Sequence, residues 1–240
     1  EVSEKLFASE IVRKVSFTGS VPVGKKLAGL AASGLKRCTF ELGGHSPSIV
    51  CEDADLESAL STLTAFKFRN SGQVCIAPSR FFVHRSNYDA FVDGFVKAAK
   101  NQHLGNGLEE DTTMGPMSNV RRIESMEYLV QDAVTKGAKI LTGGKRRGDV
   151  GFFWEPTILV DVPEDAEIML VEPFGPIVPI IAFDSLEEVI SKANSLPYGL
   201  AAYVFTQSEK ITEMLIESLE SGGVAVNSAA PVPSDLPYGG

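Results

Sequence analysis

The chain has 240 residues, of which 44% are hydrophobic and 22% charged, and these globular proportions exclude a disordered chain. Its formal net charge of −9 argues against a nucleic-acid-binding surface, because phosphate contacts need clustered Lys and Arg, and against docking on an anionic membrane. No run of about 18 apolar residues occurs, and the charged start of the chain lacks the apolar core of a signal peptide. We therefore expect a cytoplasmic protein with no nucleic-acid partner and no membrane partner.

The first part of the chain alternates strand and helix. Strands are predicted over residues 12–17 and 36–41, a helix over 22–33 lies between them, and a third strand begins at 48–50. Strand, glycine turn, helix and strand in this order are typical of a parallel sheet.

The remainder of the chain continues this alternation. The clearest helix covers residues 53–70, because Leu56, Leu60 and Leu63 recur on one face at helical spacing. Further helices are predicted over 86–100, 120–136, 187–194 and 209–219, and further strands over 81–84, 139–141, 157–161, 201–205 and 224–227. The fold class is therefore α/β.

The cysteine pattern excludes two classes of small domain. The three cysteines are Cys38, Cys51 and Cys75, with no CxxC pair and no histidine at zinc-ligand spacing. So few cysteines in a chain of this length do not form a disulfide scaffold, and we expect no metal site. We interpret Cys38 and Cys51 as small buried side chains.

Cys75 is a candidate nucleophile. It follows the long helix and a glycine in the segment SGQVCI, where a loop can present a thiol to a cleft. A thiol attacks only as the thiolate, so it needs a nearby base, cation or helix N-terminus. From the spacing alone, a buried core thiol remains the alternative.

Three other segments are candidates for ligand contacts. Glu41 ends a predicted strand before two glycines, where α/β proteins bind ligands, although a solvated strand-end acid is the alternative. Gly19 and Ser20 open a helix whose N–H groups can hold an anion. Residues 172–176 (EPFGP) form a rigid turn with one acid and one aromatic side chain, which can equally be an ordinary surface turn.

Together and in order, these segments resemble the NAD(P)-dependent aldehyde dehydrogenases over nearly the whole chain. The matching motifs are FTGS at 17–20, ELGGHSP at 41–47, GQVCIAPSR at 72–80, EPFGP at 172–176 and PYGG at 237–240. The resemblance implies the catalytic domain of the aldehyde dehydrogenase fold, preceded by the end of a Rossmann-like cofactor domain. On that basis we expect residues 1–43 to close a dinucleotide-binding domain and residues 44–240 to form the catalytic domain.

The resemblance also assigns roles to individual residues. Cys75 matches the nucleophile, which forms a thiohemiacetal with the aldehyde and then a thioester. Glu41 matches the general base that activates the hydrolytic water, and a carboxylate in a partly dry cleft suits that role. The cofactor, NAD or NADP, would contact Gly19 and Ser20 at its pyrophosphate, Leu42, Gly43 and Phe174 at its nicotinamide, and Glu172 at its ribose.

Arg69, six residues before Cys75, is a candidate substrate contact. The segment KFRN is similar to succinate-semialdehyde dehydrogenases, in which an arginine here holds the substrate carboxylate. The planar guanidinium suits a carboxylate, although a helix-end arginine that satisfies carbonyl groups is an equal alternative. The expected partner is a small aldehyde, with a carboxylate-bearing semialdehyde as one option.

The length leaves other functions open. Members of this family are about twice as long, so this chain alone can be inactive, whereas the full-length protein is expected to be a homodimer or homotetramer. The alternatives are a non-catalytic binding or assembly module and a cysteine-dependent thioester or ester hydrolase with His45, His84 or His103 as base. A further alternative, a CoA-acylating relative, is disfavoured by Glu41, since transfer to CoA needs no water-activating carboxylate.

Overall fold

A computed structural model describes residues 2–231 and 235–240, which divide into two compact units. Among the described residues, the first unit comprises 2–43 with Gly239, and the second comprises 44–231 and 235–238 with Gly240. Glu41 therefore belongs to the first unit, and Cys75 belongs to the second.

The first unit pairs two parallel strands. Its elements are α1 (Val2–Ala8), β1 (Lys14–Thr18), α2 (Val21–Ser33) and β2 (Arg37–Glu41). The register of the two strands ends at Thr18 opposite Glu41. Pro22 lies in the first turn of α2, where its missing N–H is not needed. The predicted strand–helix–strand order is confirmed, whereas α1 was not predicted.

The second unit is built on a sheet of seven strands in the order β5-β6-β7-β4-β3-β8-β9, parallel except for the β5–β6 pair. The strands are β3 (Ser46–Val50), β4 (Pro78–His84), β5 (Lys139–Thr142), β6 (Thr157–Val160), β7 (Ile177–Phe183), β8 (Ala201–Phe205) and β9 (Gly223–Val226). The α/β class is confirmed.

Helices cover both faces of this sheet. They are α3 (Leu56–Phe68), α4 (Tyr88–Lys100), α5 (Val120–Thr135), α6 (Glu167–Leu170), α7 (Leu186–Ala193) and α8 (Glu209–Ser218). Consecutive residues of β4 point to opposite faces, so Phe81 packs with α3 and α4 whereas Phe82 packs with α5 and α8. The central strands are therefore buried on both sides, as a parallel sheet requires.

Two sequence predictions differ from the structure. Strand β7 was not predicted, and it contains Pro179, a residue that is unusual within a central strand. The structure places Pro179 where the pairing with β6 ends, and the pairing of β7 with β4 begins only at Ile180. The interpretation of Cys38 as a buried side chain is wrong, because Cys38 lies exposed on β2, whereas Cys51 is buried as expected.

None of the helices in the described residues combines the length and the apolar character needed to cross a bilayer.

Candidate active site

The loop that carries Cys75 begins with an unusual backbone turn. Helix α3 ends at Phe68, and a 3₁₀ turn over Arg69–Gly72 follows. Asn70, Ser71 and Gly72 have φ angles of 50°, 55° and 69° in succession. Two consecutive non-glycine residues in the left-handed region cost energy, so the surrounding structure must hold them there.

Hydrogen bonds on several sides hold this turn. The Ser71 hydroxyl donates to the Gly115 carbonyl at 2.7 Å, and the Gln73 amide donates to the Asn70 carbonyl at 3.1 Å. The Gln73 side-chain oxygen in turn accepts from the Ser118 N–H at 2.9 Å. The turn is therefore fixed to the segment that leads into α5.

Cys75 lies half-buried between this turn and the start of β4. The Tyr203 hydroxyl donates to the carbonyl of Ile76 at 2.5 Å, and the Ala77 N–H donates to the Val74 carbonyl at 2.9 Å. Gly44 is packed against the same loop, because a Cβ on Gly44 would lie 2.8 Å from the Cys75 carbonyl oxygen. The loop position is thus determined by contacts on both sides of the cysteine.

Glu172 and Phe174 lie in a second turn that packs on the first. The place of a Cβ on Gly72 is only 2.4 Å from the Gly175 carbonyl oxygen, so only glycine fits there. The Gly44 N–H donates to Glu172 Oε1 at 3.3 Å. Burial raises the pKa of Glu172 to about 7, against the opposing effects of the Gly44 N–H, Arg122 and Lys67.

Arg122, on α5, clamps this second turn. Its Nη2 donates to the carbonyls of Pro173 and Phe174, and its guanidinium lies 5.9 Å from the centre of the Phe174 ring. Burial lowers the pKa of Arg122, and the charge of Glu172 opposes that shift. Phe174 is held with a φ of 44°, in the left-handed region.

Gly44, Cys75 and the Glu172 turn all lie at the amino ends of neighbouring strands. Gly44 precedes β3, Cys75 precedes β4 and the Glu172 turn precedes β7, and these three strands are parallel neighbours. Their amino ends therefore meet, and the second unit brings together Cys75, Glu172 and Phe174. Backbone N–H groups, a thiol and an acid at one edge can bind and attack a small polar molecule.

The first unit gathers the other predicted residues. The Gly19 N–H donates to the Glu41 carbonyl at 3.0 Å, and a Cβ on Gly24 would lie 2.6 Å from Leu42 Cδ2. Ser20 caps α2 without a side-chain hydrogen bond, so the N–H groups of the first turn can face an anion. Gly43 is the last residue before the second unit.

Arg69 is exposed at the end of α3, and its guanidinium lies 5.9 Å from the centre of the Phe66 ring. This contact involves the guanidinium itself, whose exposed N–H groups can still donate to an anion.

Sequence reasoning missed two charged residues near Glu172, namely Lys67 and Arg122. Lys67 carried a signal, because it follows Leu63 by four residues on the face that periodicity assigns to the core. A charged residue at a core position indicates a possible functional site, because burying an unpaired charge is costly. No local pattern marks Arg122.

Two histidines are poorly suited to activate Cys75. His45 is buried, with Nδ1 2.8 Å from the Ser79 hydroxyl and Nε2 3.1 Å from the Ile168 carbonyl, and burial keeps its pKa well below the usual value. His84 is the last residue of β4, at the carboxyl end of the strand, whereas Cys75 precedes its amino end. In the described ranges no three His, Cys, Asp or Glu side chains cluster as metal ligands do.

The sequence is similar to one family of enzymes and to relatives named as dehydrogenases. The sequence model of the aldehyde dehydrogenase family matches residues 1–240. The chain is 47% identical over its whole length to 4-(hydroxymethyl)benzenesulfonate dehydrogenase from Comamonas testosteroni, of which it covers 50%. It is 43% identical to the mitochondrial succinate-semialdehyde dehydrogenase of Arabidopsis thaliana, again over its whole length, and covers 46% of that protein.

The fold matches solved structures equally well. An Escherichia coli structure described as an NADP-dependent enzyme superposes with a TM-score of 0.96 at 38% identity, over 99% of this chain and 50% of the other. The chain thus spans about half the length of the curated relatives and of the solved structure that it matches.

Proposed function

Because this chain belongs to the aldehyde dehydrogenase family, we propose that the protein oxidises an aldehyde to a carboxylic acid with NAD or NADP, using Cys75 as nucleophile and Glu41 as general base. The main support for the proposal is that Gly44 contacts both the Cys75 loop and Glu172 at the amino ends of β3, β4 and β7.

In the proposed reaction, the Cys75 thiolate adds to the aldehyde carbonyl and forms a thiohemiacetal. The backbone N–H of Cys75 and a side-chain amide stabilise the oxyanion. When bound, NAD(P)⁺ supplies the acceptor for the hydride that leaves the thiohemiacetal carbon, and loss of this hydride and of the hydroxyl proton turns the thiohemiacetal into the Cys75 thioester. Glu41 then takes a proton from water, whose oxygen attacks the Cys75 thioester, releases the acid and regenerates the thiol.

The residues fit the cofactor that this reaction needs. The uncapped first turn of α2, after Gly19 and Ser20, suits a pyrophosphate. Glu172 is a half-buried acceptor that suits ribose hydroxyls, and Phe174 offers a ring beside them. Leu42 and Gly43 complete the proposed nicotinamide site. In the same proposal, residues 1–43 close the dinucleotide-binding domain and residues 44–240 form the catalytic domain.

We also propose a substrate with an anionic group distant from its carbonyl. The names of two relatives support an anionic group on the substrate, since one is a 4-(hydroxymethyl)benzenesulfonate dehydrogenase and the other a succinate-semialdehyde dehydrogenase. Arg69, exposed at the end of the helix that leads to Cys75, is the proposed anion contact. The full-length enzyme is proposed to be a homodimer or homotetramer, which light scattering after gel filtration would test.

The test uses the full-length protein, an aliphatic aldehyde that carries a carboxylate, and each cofactor. We expect oxidation to depend strictly on NAD⁺ or NADP⁺ and to be abolished by Cys75→Ser. Glu41→Gln should retain a burst of NAD(P)H in the first turnover but slow the steady state, because the thioester forms and is not hydrolysed.

Two results would contradict the proposal. Aldehyde turnover that needs no nicotinamide cofactor would favour a thiol hydrolase instead. A Glu41→Gln variant with an unchanged burst and an unchanged steady-state rate would remove Glu41 from the role of base.

A further inference from the structure

Lys67 is a buried cation that the proposed reaction does not use. It lies in the last turn of α3, its side chain is 0% exposed, and its Nζ has no hydrogen-bond partner among the described residues. An ammonium that is removed from water without a partner destabilises the folded protein, by an amount comparable to the contribution of a whole core side chain. Stability therefore does not explain its presence.

The surroundings of Lys67 contain the acid of the proposed cofactor site. One narrow pocket is lined by Lys67, Gly44, Ser79, Glu172 and Phe174 among others. Lys67 and Glu172 thus face the same space, and each acts on the charge of the other. Burial lowers the pKa of Lys67 to about 7, and the charge of Glu172 opposes this shift.

Other charged groups near this pocket are already engaged. Arg122 reaches Glu172 from α5 but donates to the carbonyls of the turn. His45, at the start of β3, is kept neutral by burial and by the charges of Arg80 and Lys67. Arg80, on β4, donates to the carbonyls of His45, Lys192 and Ala193. The charges of Arg122 and Lys67 both act on Glu172, but Arg122 donates from Nη2 to carbonyls of the turn, whereas the Lys67 ammonium has no hydrogen-bond partner among the described residues.

We propose that Lys67 is a positioning residue for cofactor binding, whose ammonium keeps the Glu172 carboxylate ionised and so able to accept hydrogen bonds from a ribose diol. The inference rests on the proposed function, in which Glu172 contacts the ribose. It extends that function to a residue that need not touch the cofactor.

A neutral side chain of similar length separates this role from a structural one. Lys67→Met fills the same space without the charge, so the Tm should stay the same or rise. Cofactor affinity should fall, because more of Glu172 is protonated once the ammonium is gone. If Lys67 served only to pack the core, its replacement would lower the Tm and leave cofactor binding unchanged. The proposal expects the reverse: an equal or higher Tm and weaker cofactor binding.

The experiment measures the Kd of NADH or NADPH from its fluorescence in the full-length protein at pH 7 and pH 9, with the Tm of each variant. We expect Lys67→Met to weaken binding about fivefold at pH 7, because a one-unit rise in the pKa of Glu172 from about 7 lowers its ionised fraction by that factor. At pH 9 the ratio of the two Kd values should approach one, because Glu172 is then ionised without help.

Three further variants complete the design. Lys67→Gln is a second neutral replacement, and Lys67→Arg should restore much of the affinity by restoring the charge. Thr64→Val, one turn earlier on α3, removes a buried hydroxyl that donates to the Leu60 carbonyl at 2.7 Å and carries no charge. This control should leave the Kd unchanged at both pH values.

The inference is overturned if neutral variants bind the cofactor as the wild type does, or equally weakly at both pH values. A parallel Glu172→Gln variant separates this failure from that of the proposed site. If Glu172→Gln weakens binding while the Lys67 variants do not, only the role of Lys67 is lost. If Glu172→Gln leaves the Kd unchanged, the ribose contact and the inference both fail, whereas aldehyde oxidation by Cys75 is judged separately from turnover.

Discussion

The Gly44 N–H donates to Glu172 Oε1 across 128 residues of sequence, at 3.3 Å. Gly44 is also closed in from the other side, because a Cβ there would meet the Cys75 carbonyl oxygen at 2.8 Å and Leu200 Cβ at 3.1 Å. One residue without a side chain thus separates the proposed nucleophile loop from the proposed ribose acid.

Gly44→Ala should therefore displace the Cys75 loop, since neither the carbonyl nor the Leu200 Cβ can yield easily. We expect kcat/KM for aldehyde oxidation to fall by about 100-fold, the cost of misplacing a reacting group by about 1 Å. Gly29→Ala is the matched control, because a Cβ there meets nothing within 4 Å and α2 gains a better helix former. If both variants keep wild-type kinetics, the contact between Gly44 and the loop does not matter for catalysis.

Arg69→Ala should discriminate between aldehydes. For a substrate with a carboxylate, KM should rise about tenfold or more, because a charge-assisted hydrogen bond contributes roughly 1.5–3 kcal/mol. For a neutral aldehyde of similar size, KM should hardly change. Arg69→Lys should recover only part of the loss, since lysine lacks the planar two-pronged geometry. Equal effects on both aldehydes would exclude Arg69 as the anion contact.

Arg122→Met should loosen the turn that carries Glu172 and Phe174, because two carbonyls lose their donor. We expect the Kd for the cofactor to rise about tenfold, consistent with the loss of hydrogen bonds from a charged group. Arg121→Met, the adjacent exposed arginine on α5, is the control and should bind as the wild type does. The clamp would be irrelevant to binding if the two variants gave the same Kd.

The stability of the protein should depend on pH through Lys67. An exposed lysine titrates near 10.5, whereas burial lowers the pKa of Lys67 to about 7. Between these values the unfolded chain binds a proton that the folded protein does not, so the free energy of unfolding rises with pH. Below pH 7 the folded protein bears the full cost of a buried charge.

Lys67→Met removes this dependence. Its advantage in Tm over the wild type should be largest below pH 7 and shrink as the pH approaches 10.5. Thermal unfolding at pH 6, 8 and 10 measures it, with the exposed Lys97→Met on α4 as a control whose Tm difference stays constant. A constant difference for Lys67→Met as well would mean that Lys67 does not titrate differently in the folded protein.

Much of the architecture could be predicted from local pattern. The apolar stripe of α3 and the short apolar runs of β4 and β8 each predict their element from a few neighbouring residues. Strand β7 could not be predicted in this way, because it contains Pro179. A proline is tolerated here since β7 pairs with β6 only up to Pro179 and with β4 only from Ile180 onwards. Helix α6 has four residues, which is too short for any periodicity.

The candidate site could be found only through its resemblance to a family. Cys75 and Glu172 are ordinary when each is judged by its own neighbours in sequence. What distinguishes them is contact between segments that are far apart, such as Gly44 with Glu172 or Gly72 with Gly175. Local patterns carry no information on such contacts, and the left-handed turn at residues 70–72 has only the weak signal that Asn and Gly favour this conformation.

The strand order has a consequence for how the chain is made. Strands β3 and β4 are synthesised well before their neighbours β8 and β7, and the Tyr203 hydroxyl reaches the Ile76 carbonyl from 127 residues away. A nascent chain that has emerged only as far as α5 exposes two apolar strand edges, which invite aggregation. The Cys75 loop thus gains its contact with Tyr203 only after β8 has been synthesised, so a ribosome-bound intermediate that ends before β8 should hold this loop less firmly.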